Sequence, residues 1–226
     1  MLRRLSPDRL HLLLMLALTF STGVVDAIGY LGLDRVFTGN MTGNVVILGM
    51  AIVGAEDLPV LGPVLALLGF MGGAALGGRV LRSASPGWSR RTTLLLGLVG
   101  VVILALAVVV LADLSRPVAL TITTLLGAAM GLQAATARFI AVKDVTTVVV
   151  TSTMTGLAAD SVLGAGKRGH SARRVAAVVL ILAGAAVGAA LLRWHLSAGL
   201  VLSGAITVVV ATVGAVATRA ARAPAP

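Results

Sequence analysis

The sequence predicts an all-α polytopic membrane protein, with six spanning helices and two re-entrant half-helices arranged in two inverted repeats. Three observations predict it. The chain of 226 residues is 58% hydrophobic and 12% charged, with a mean hydropathy of +1.05, whereas soluble domains carry about 25% charged residues. One polar phrase is written twice inside apolar sequence, as Thr38-Gly39-Asn40-Met41-Thr42-Gly43-Asn44 and as Thr151-Ser152-Thr153-Met154-Thr155-Gly156-Leu157. The basic residues fall between the apolar runs, where they report orientation rather than a fold.

The apolar stretches run over residues 10–32, 40–54, 58–81, 92–112, 117–139, 146–165, 174–193 and 196–217. Arg3, Arg4 and Arg9 ahead of Leu12–Phe20 resemble a signal peptide. Apolar character continues to Leu33 and no small-x-small cleavage site follows, so this stretch reads as a retained first helix. The second stretch differs from its neighbours. Only 11 residues separate Asn44 from Glu56, about 16 Å of helix at ~1.5 Å per residue, and the hydrocarbon core is ~30 Å thick. The sixth carries Thr146, Thr147, Thr151, Ser152, Thr153 and Thr155 in its first half. Both read as an irregular lead-in followed by a half-helix. The Ala/Pro/Arg-rich tail, 219–226, is expected to be disordered.

Charge placement discriminates between topologies. With both odd stretches re-entrant and the N-terminus cytoplasmic, 15 of the 18 basic residues lie inside, leaving only Arg35, Arg116 and Arg193 outside. Eight full crossings from the same start divide them 10 to 8. The positive-inside rule prefers the first arrangement, with both termini cytoplasmic in a bacterial inner membrane.

Residues 1–226 form a single membrane domain, with 10–112 as the first repeat and 117–217 as the second. Gly73 and Gly77 correspond to Gly184 and Gly188 at an offset of 111, and Met41 to Met154 at 113. Gly23-Val24-Val25-Asp26 can be laid on Gly131-Leu132-Gln133-Ala134. Each half then holds three spanning helices and one half-helix, and an odd number of crossings inverts the second half.

Polar backbone inside lipid is costly, so the paired phrases are the leading candidates for a solute site. A half-helix starting near the midplane aims unpaired N–H groups and its positive dipole end inward. Thr38, Asn40, Thr42 and Asn44 add hydroxyls and amides in one half, and Thr151, Ser152, Thr153 and Thr155 in the other. Two such termini meeting would suit an anion or a polar neutral solute. The same residue types also serve as packing glue between helices, at about 0.6 kcal/mol per contact. Asp26 is the one acidic residue well inside a predicted spanning helix, where an ionised carboxylate costs about 2.5–3.5 kcal/mol. It reads either as a coupling or binding group or as a cap accepting N–H groups around Gly39 to Met41. Gln133 sits in the corresponding helix of the second half, facing Asp26 or bonding a neighbouring helix. Asp160, near the inner end of its half-helix, reads as solvated. Gly69, Gly73 and Gly77, echoed by Gly184 and Gly188, mark close helix packing within the chain or in a homo-oligomer.

Several functions are excluded or disfavoured. The net charge of +10 belongs to membrane orientation rather than nucleic acid, since aromatic residues for stacking make up only 3%. The absence of cysteine removes disulfides and thiolate chemistry. His11, His170 and His195 fall at the ends of apolar runs, so no metal or other cofactor is expected. The chain reads as non-enzymatic: no buried histidine is available to activate a serine, and Asp26 and Asp160 lie near opposite faces.

The run Gly23–Gly49, GVVDAIGYLGLDRVFTGNMTGNVVILG, resembles the N-terminal signature of the YoaK family, uncharacterised bacterial integral membrane proteins defined by a domain of unknown function. Gly131-Leu132-Gln133 followed by Thr153-Met154-Thr155-Gly156 also resembles that family, with Ala134 where members often carry Asn. The resemblance covers essentially the whole chain and implies a six-helix inner-membrane protein, but no substrate. The residues themselves lead to a channel or secondary transporter for a small solute in the lipid bilayer. A non-catalytic membrane partner or assembly subunit is the alternative.

Overall fold

A computed structural model describes residues 6–55, 57–140, 150–161, 164–166 and 171–222. Among them are eight helices: α1 (Pro7–Gly32), α2 (Met41–Ile52), α3 (Leu61–Leu81), α4 (Arg90–Ala112), α5 (Arg116–Ile140), α6 (Val150–Ala159), α7 (Ser171–Leu192) and α8 (Leu196–Arg222). Six are long and apolar enough to cross a membrane, and among the described residues there is no strand. The 12 residues of α2 reach only about 18 Å, and the 10 described residues of α6 about 15 Å. One expectation is corrected. Residues 219–222 are helical rather than disordered, because Thr218-Arg219-Ala220-Ala221-Arg222 is rich in strong helix formers and the first proline comes only at Pro224. Residues 223–226, like 146–149 of the sixth stretch, lie outside the described residues.

Helices α1, α8, α4 and α5 form the centre, α7 flanks α1, and α3 flanks α5. Helix α2 rests on α3, and α6 on α7. Lipid supplies no hydrophobic force between helices, so close approach through small residues has to supply the packing. Along α3, a Cβ on Gly69 would strike the carbonyl of Thr124, and one on Gly73 that of Ala128. Gly77 faces Leu132 and Ala135, while from α5 Gly131 abuts the carbonyl of Phe70. The α1–α7 seam is built alike: Gly184 abuts Phe20, Gly188 abuts Val24, and Gly23 abuts Ile181. Gly100 and Gly204 face each other across α4 and α8. The glycine ladders therefore work within one chain, joining α1 to α7 and α3 to α5.

Contacts at the ends fix the directions of the helices. Leu10 and Leu14 of α1, Trp88 before α4, Ala177 of α7, and the ends of α5 (Ala137, Ile140) and α8 (Val210, Ala211) share one apolar cluster. Trp88 stacks on His11 at 5.7 Å and donates to Thr93 Oγ1 at 2.9 Å. Arg91 ties the end of α3 to this level by donating to the Val80 carbonyl at 2.9 Å and to Ser83 Oγ at 2.7 Å. Arg9, Arg79, Arg82, Arg90, Arg91, Arg138, Arg173, Arg174 and Arg219 lie toward this end. Arg35, Arg116 and Arg193 lie at the other, where Gly32 meets Leu192 and Leu196 and where Leu33, Asp57–Gly62 and Arg116 border one pocket of about 510 Å³. Helix α1 thus ends, and α3 begins, at the same end of the bundle, although α2 lies between them in sequence. Helix α5 ends and α7 begins together at the basic end, with α6 between.

The seams give a direct test. Gly73→Leu and Gly184→Leu are each expected to cost about 3 kcal/mol or more, since backbone rather than a flexible side chain blocks the new atoms. Gly72→Leu and Gly97→Leu, whose Cβ would meet nothing within 4 Å, are expected to leave stability unchanged. Melting temperatures of the four variants in one detergent check this, and equal losses in both pairs would contradict it.

Candidate functional site

The site is built where the chain turns back after α1. Asp34 and Arg35 both take left-handed backbone conformations, φ 61° and 56°, which is uncommon outside glycine. The chain reverses there, and Val36 is delivered against Gly29 and Gly62. Residues 37–40 then run back along α1 to the level of Asp26, nearly two turns before the helix ends.

Asp26 Oδ1 accepts three backbone N–H groups, from Thr38 at 3.0 Å, Gly39 at 2.6 Å and Asn40 at 3.3 Å. Of the two readings offered by the sequence, the cap is the one these bonds describe. A Cβ on Gly39 would lie 3.1 Å from the Thr22 methyl and 3.4 Å from both Asp26 oxygens, so the segment runs in close contact with α1 here. The rest of the phrase is absorbed by the turn. Asn40 is the N-cap of α2 and accepts from Gly43 N–H at 3.2 Å. Gly43 leaves room for the ring of Phe37, which stacks on Tyr30 at 4.8 Å. Asn44 is fully buried and grips the Phe37 backbone at two points: its Oδ1 accepts from Phe37 N–H at 2.9 Å, and its Nδ2 donates to the Phe37 carbonyl at 2.6 Å. Thr38 is buried beneath the turn, while Thr42 is exposed.

Gln133 reaches this cluster from α5 through Thr22, not through Asp26. Its Nε2 donates to Thr22 Oγ1 at 3.3 Å, and Thr22 in turn donates to the Leu18 carbonyl at 2.9 Å. Gln133 Oε1, like Thr38 Oγ1, is buried and has no hydrogen-bond partner among the described residues. Thr22 escaped the sequence reading because a lone helical threonine ordinarily bonds its own backbone. The available signal was its position four residues before Asp26, on the same helix face.

The second phrase is placed differently. Thr151, Ser152 and Thr155 are exposed on α6, with Thr155 Oγ1 bonded to the Thr151 carbonyl at 2.9 Å, and only Thr153 is buried. Gly156 lies against the guanidinium of Arg174, which donates to the Gly156 carbonyl and to Asp160, both at 2.7 Å. Asp160 is therefore ion-paired rather than simply solvated. Lys143 and His170 lie outside the described residues. His195 bonds Ser197 in the turn between α7 and α8.

Beside Asp26 a groove of about 540 Å³ runs between α1 and α7, with Phe37, from the turn ahead of α2, and Val150 of α6 in its wall. The architecture and this buried polar turn define a polytopic α-helical membrane protein with a break in its secondary structure inside the bundle. The chain belongs to the family described as protein of unknown function DUF1275, which it matches over residues 14–213. It is 34% identical over 148 residues to the UPF0700 transmembrane protein YoaK of Bacillus subtilis (strain 168), the aligned stretch covering 65% of either chain. No solved structure matches it.

Asp26→Ala would strand two buried N–H donors, of Thr38 and Gly39, each costing about 1–3 kcal/mol, and loosen the part-buried one of Asn40. The expected outcome is a loss of at least about 3 kcal/mol, with the Thr38–Asn40 amides exchanging faster while amides in the α4–α8 seam stay protected. Hydrogen exchange resolved by residue checks this, and unchanged protection at 38–40 would refute the cap.

Proposed function

We propose that the protein is a channel or secondary transporter that passes a small solute by a midplane site between two inverted halves. The observation that carries this reading is the recurrence of the helix contacts. Gly23 meets Ile181 as Gly131 meets Phe70, and Gly184 meets Phe20 as Gly73 meets Ala128. Gly188 meets Val24 and Ala27 as Gly77 meets Leu132 and Ala135. One shift of 108 residues relates α1 to α5 and one of 111 relates α3 to α7, in all three comparisons. The reciprocal Gly100–Gly204 contact fits a pair lying on the two-fold axis itself. Helix α1 starts at the basic end and α5 finishes there, so the two halves run in opposite senses.

Helices α2 and α6 then serve as half-helices, each leaving and returning on one side, and the basic end faces the cytoplasm with both termini. The solute preference follows from Asp26. The donors around the start of α2 are spent on the Asp26 carboxylate and on Asn40, and an arriving anion would face a like charge. A solute that brings hydrogen-bond donors suits the site better than an anion does. The exposed side of α2, where only Asn44 and Ile47 are buried, favours the second reading, a membrane partner or assembly subunit that docks there.

Two measurements test the proposal. Single cysteines at Asp34 and Ala55 are both expected to react from the outside of intact cells with an impermeant thiol reagent; labelling from opposite sides would mean that α2 crosses the membrane. Proteoliposomes are expected to show saturable flux for at least one polar neutral or cationic solute, falling at least tenfold in Asp26→Asn. Background flux across the whole panel, with a stoichiometric partner recovered on pull-down, would replace transport by the subunit reading.

A further inference from the structure

The groove lies along the α1–α7 seam and is lined by small residues, Gly23 and Ala27 on α1 and Ala185 and Ala189 on α7. The two backbones stay in contact on its floor, Gly23 against Ile181 and Gly188 against Val24 and Ala27. Its rim carries Leu31 and Leu182, 58% and 70% exposed, on the surface that lipid covers in an α-helical membrane protein. The wall offers a single charged side chain, Asp26.

That carboxylate is electrostatically incomplete. All three of its hydrogen bonds from N–H groups fall on Oδ1, and these dipoles leave the formal charge in place. No basic side chain pairs with it among the described residues. A hard metal ion would require about six oxygen ligands, and besides Asp26 only the Tyr30 hydroxyl adds a side-chain oxygen to walls otherwise of Gly, Ala, Val, Ile, Leu and Phe. A proton would neutralise the charge but leave the groove itself unexplained. A primary ammonium joined to an apolar tail satisfies both parts: the head donates to Asp26 and compensates its charge, while the tail covers the seam. About 540 Å³ is within the range of sites that enclose an organic ligand, ~300–1,000 Å³.

We propose that the α1–α7 groove binds an amphiphilic primary amine, which enters sideways from the bilayer and sets its ammonium on Asp26. The proposal rests on the transport reading in that it names the substrate class of the same carboxylate. Thr22 and Gln133, behind Asp26, then form the inner wall, where the unpartnered Gln133 Oε1 receives a donor once the head passes the turn.

The test is equilibrium binding to the full chain in nanodiscs of zwitterionic lipid. The probes are a dansyl-labelled C12 primary amine and its alcohol and carboxylate counterparts. One saturable site per chain is expected for the amine, at least tenfold tighter than for the alcohol, with no saturable site for the carboxylate. Asp26→Asn retains an oxygen acceptor for the turn and is expected to reduce amine binding to the level of the alcohol. Ala189→Phe fills the groove without touching Asp26 and is expected to abolish saturable binding of both. Equal binding of all three probes, or amine binding untouched by Ala189→Phe, would overturn the proposal. Flux of a polar solute in proteoliposomes that lack such amine selectivity would overturn it while leaving the transport reading intact. Selective amine binding with no flux of any solute, the amine included, would uphold the site and remove transport.

Discussion

A backbone that turns back inside a helical bundle must carry its own hydrogen-bond acceptors, because neither lipid nor packed side chains supply them. Here that acceptor is one carboxylate oxygen. Asp26 Oδ1 takes the N–H groups of three successive residues, and the surrounding residues are chosen around that fact. Gly39 lies closest to the carboxylate, the left-handed pair Asp34–Arg35 makes the reversal, and Asn44 closes the far side on Phe37. The cost of placing a charge in the span, about 2.5–3.5 kcal/mol, is set against the buried donors of Thr38 and Gly39, which would otherwise be orphaned at about 1–3 kcal/mol each, and the part-buried donor of Asn40. The balance favours keeping the acid even before any role in binding is considered.

The glycine seams meet a second demand of the same solvent. With no hydrophobic force pulling the helices together, the contact area has to come from backbones in near touch, and Gly73 and Gly184 each bring a backbone against a neighbouring carbonyl. These seams also hold the site in place. Gly23, Gly184 and Gly188 hold α1 against α7 on either side of Asp26, so the depth of the carboxylate and the line of the groove are fixed by that seam. Ser21 and Ser203, 2.6 Å apart, tie the opposite face of α1 to α8. The helix bearing the charge is therefore held on both sides, while the segment it caps is held chiefly by hydrogen bonds.

Much of this could be read from the sequence, and for identifiable reasons. Helix number and length followed from apolar run length. The short reach of residues 40–54 followed from counting to Glu56, and the gathering of arginines at one end followed from the loops they occupy. The glycine ladders announced close packing, but spacing within one helix says nothing about its partner. The exchange that sets α3 on α5 and α7 on α1 was thus hidden. The cap was legible as one of two readings for Asp26, since an acid near a Gly-Asn turn can accept N–H groups. Thr22 was not, because nothing local distinguishes a threonine that takes a second bond from a glutamine 111 residues away. Arg174 with Asp160 was missed for the same reason, being a contact between two elements each ordinary on its own. The helical residues 219–222 were lost to composition, as prolines at 224 and 226 coloured the reading of alanines and arginines that precede them.

The two proposed halves share their glycine contacts and differ in chemistry, and on the transport reading that difference gives the site its direction. Where α1 places Asp26, the matching position of α5 is Ala134, and where α5 places Gln133, α1 has Val25. The first phrase is folded into a turn around its acid, while the second shows Thr151, Ser152 and Thr155 at the surface of α6. On the transport reading proposed above, a solute passing the centre leaves a carboxylate lined by apolar walls on the α7 side and meets hydroxyl and amide groups at Thr22 and Gln133. On that same reading the recurring glycine contacts follow from duplication, and selectivity resides in the departures from it, Asp26 above all.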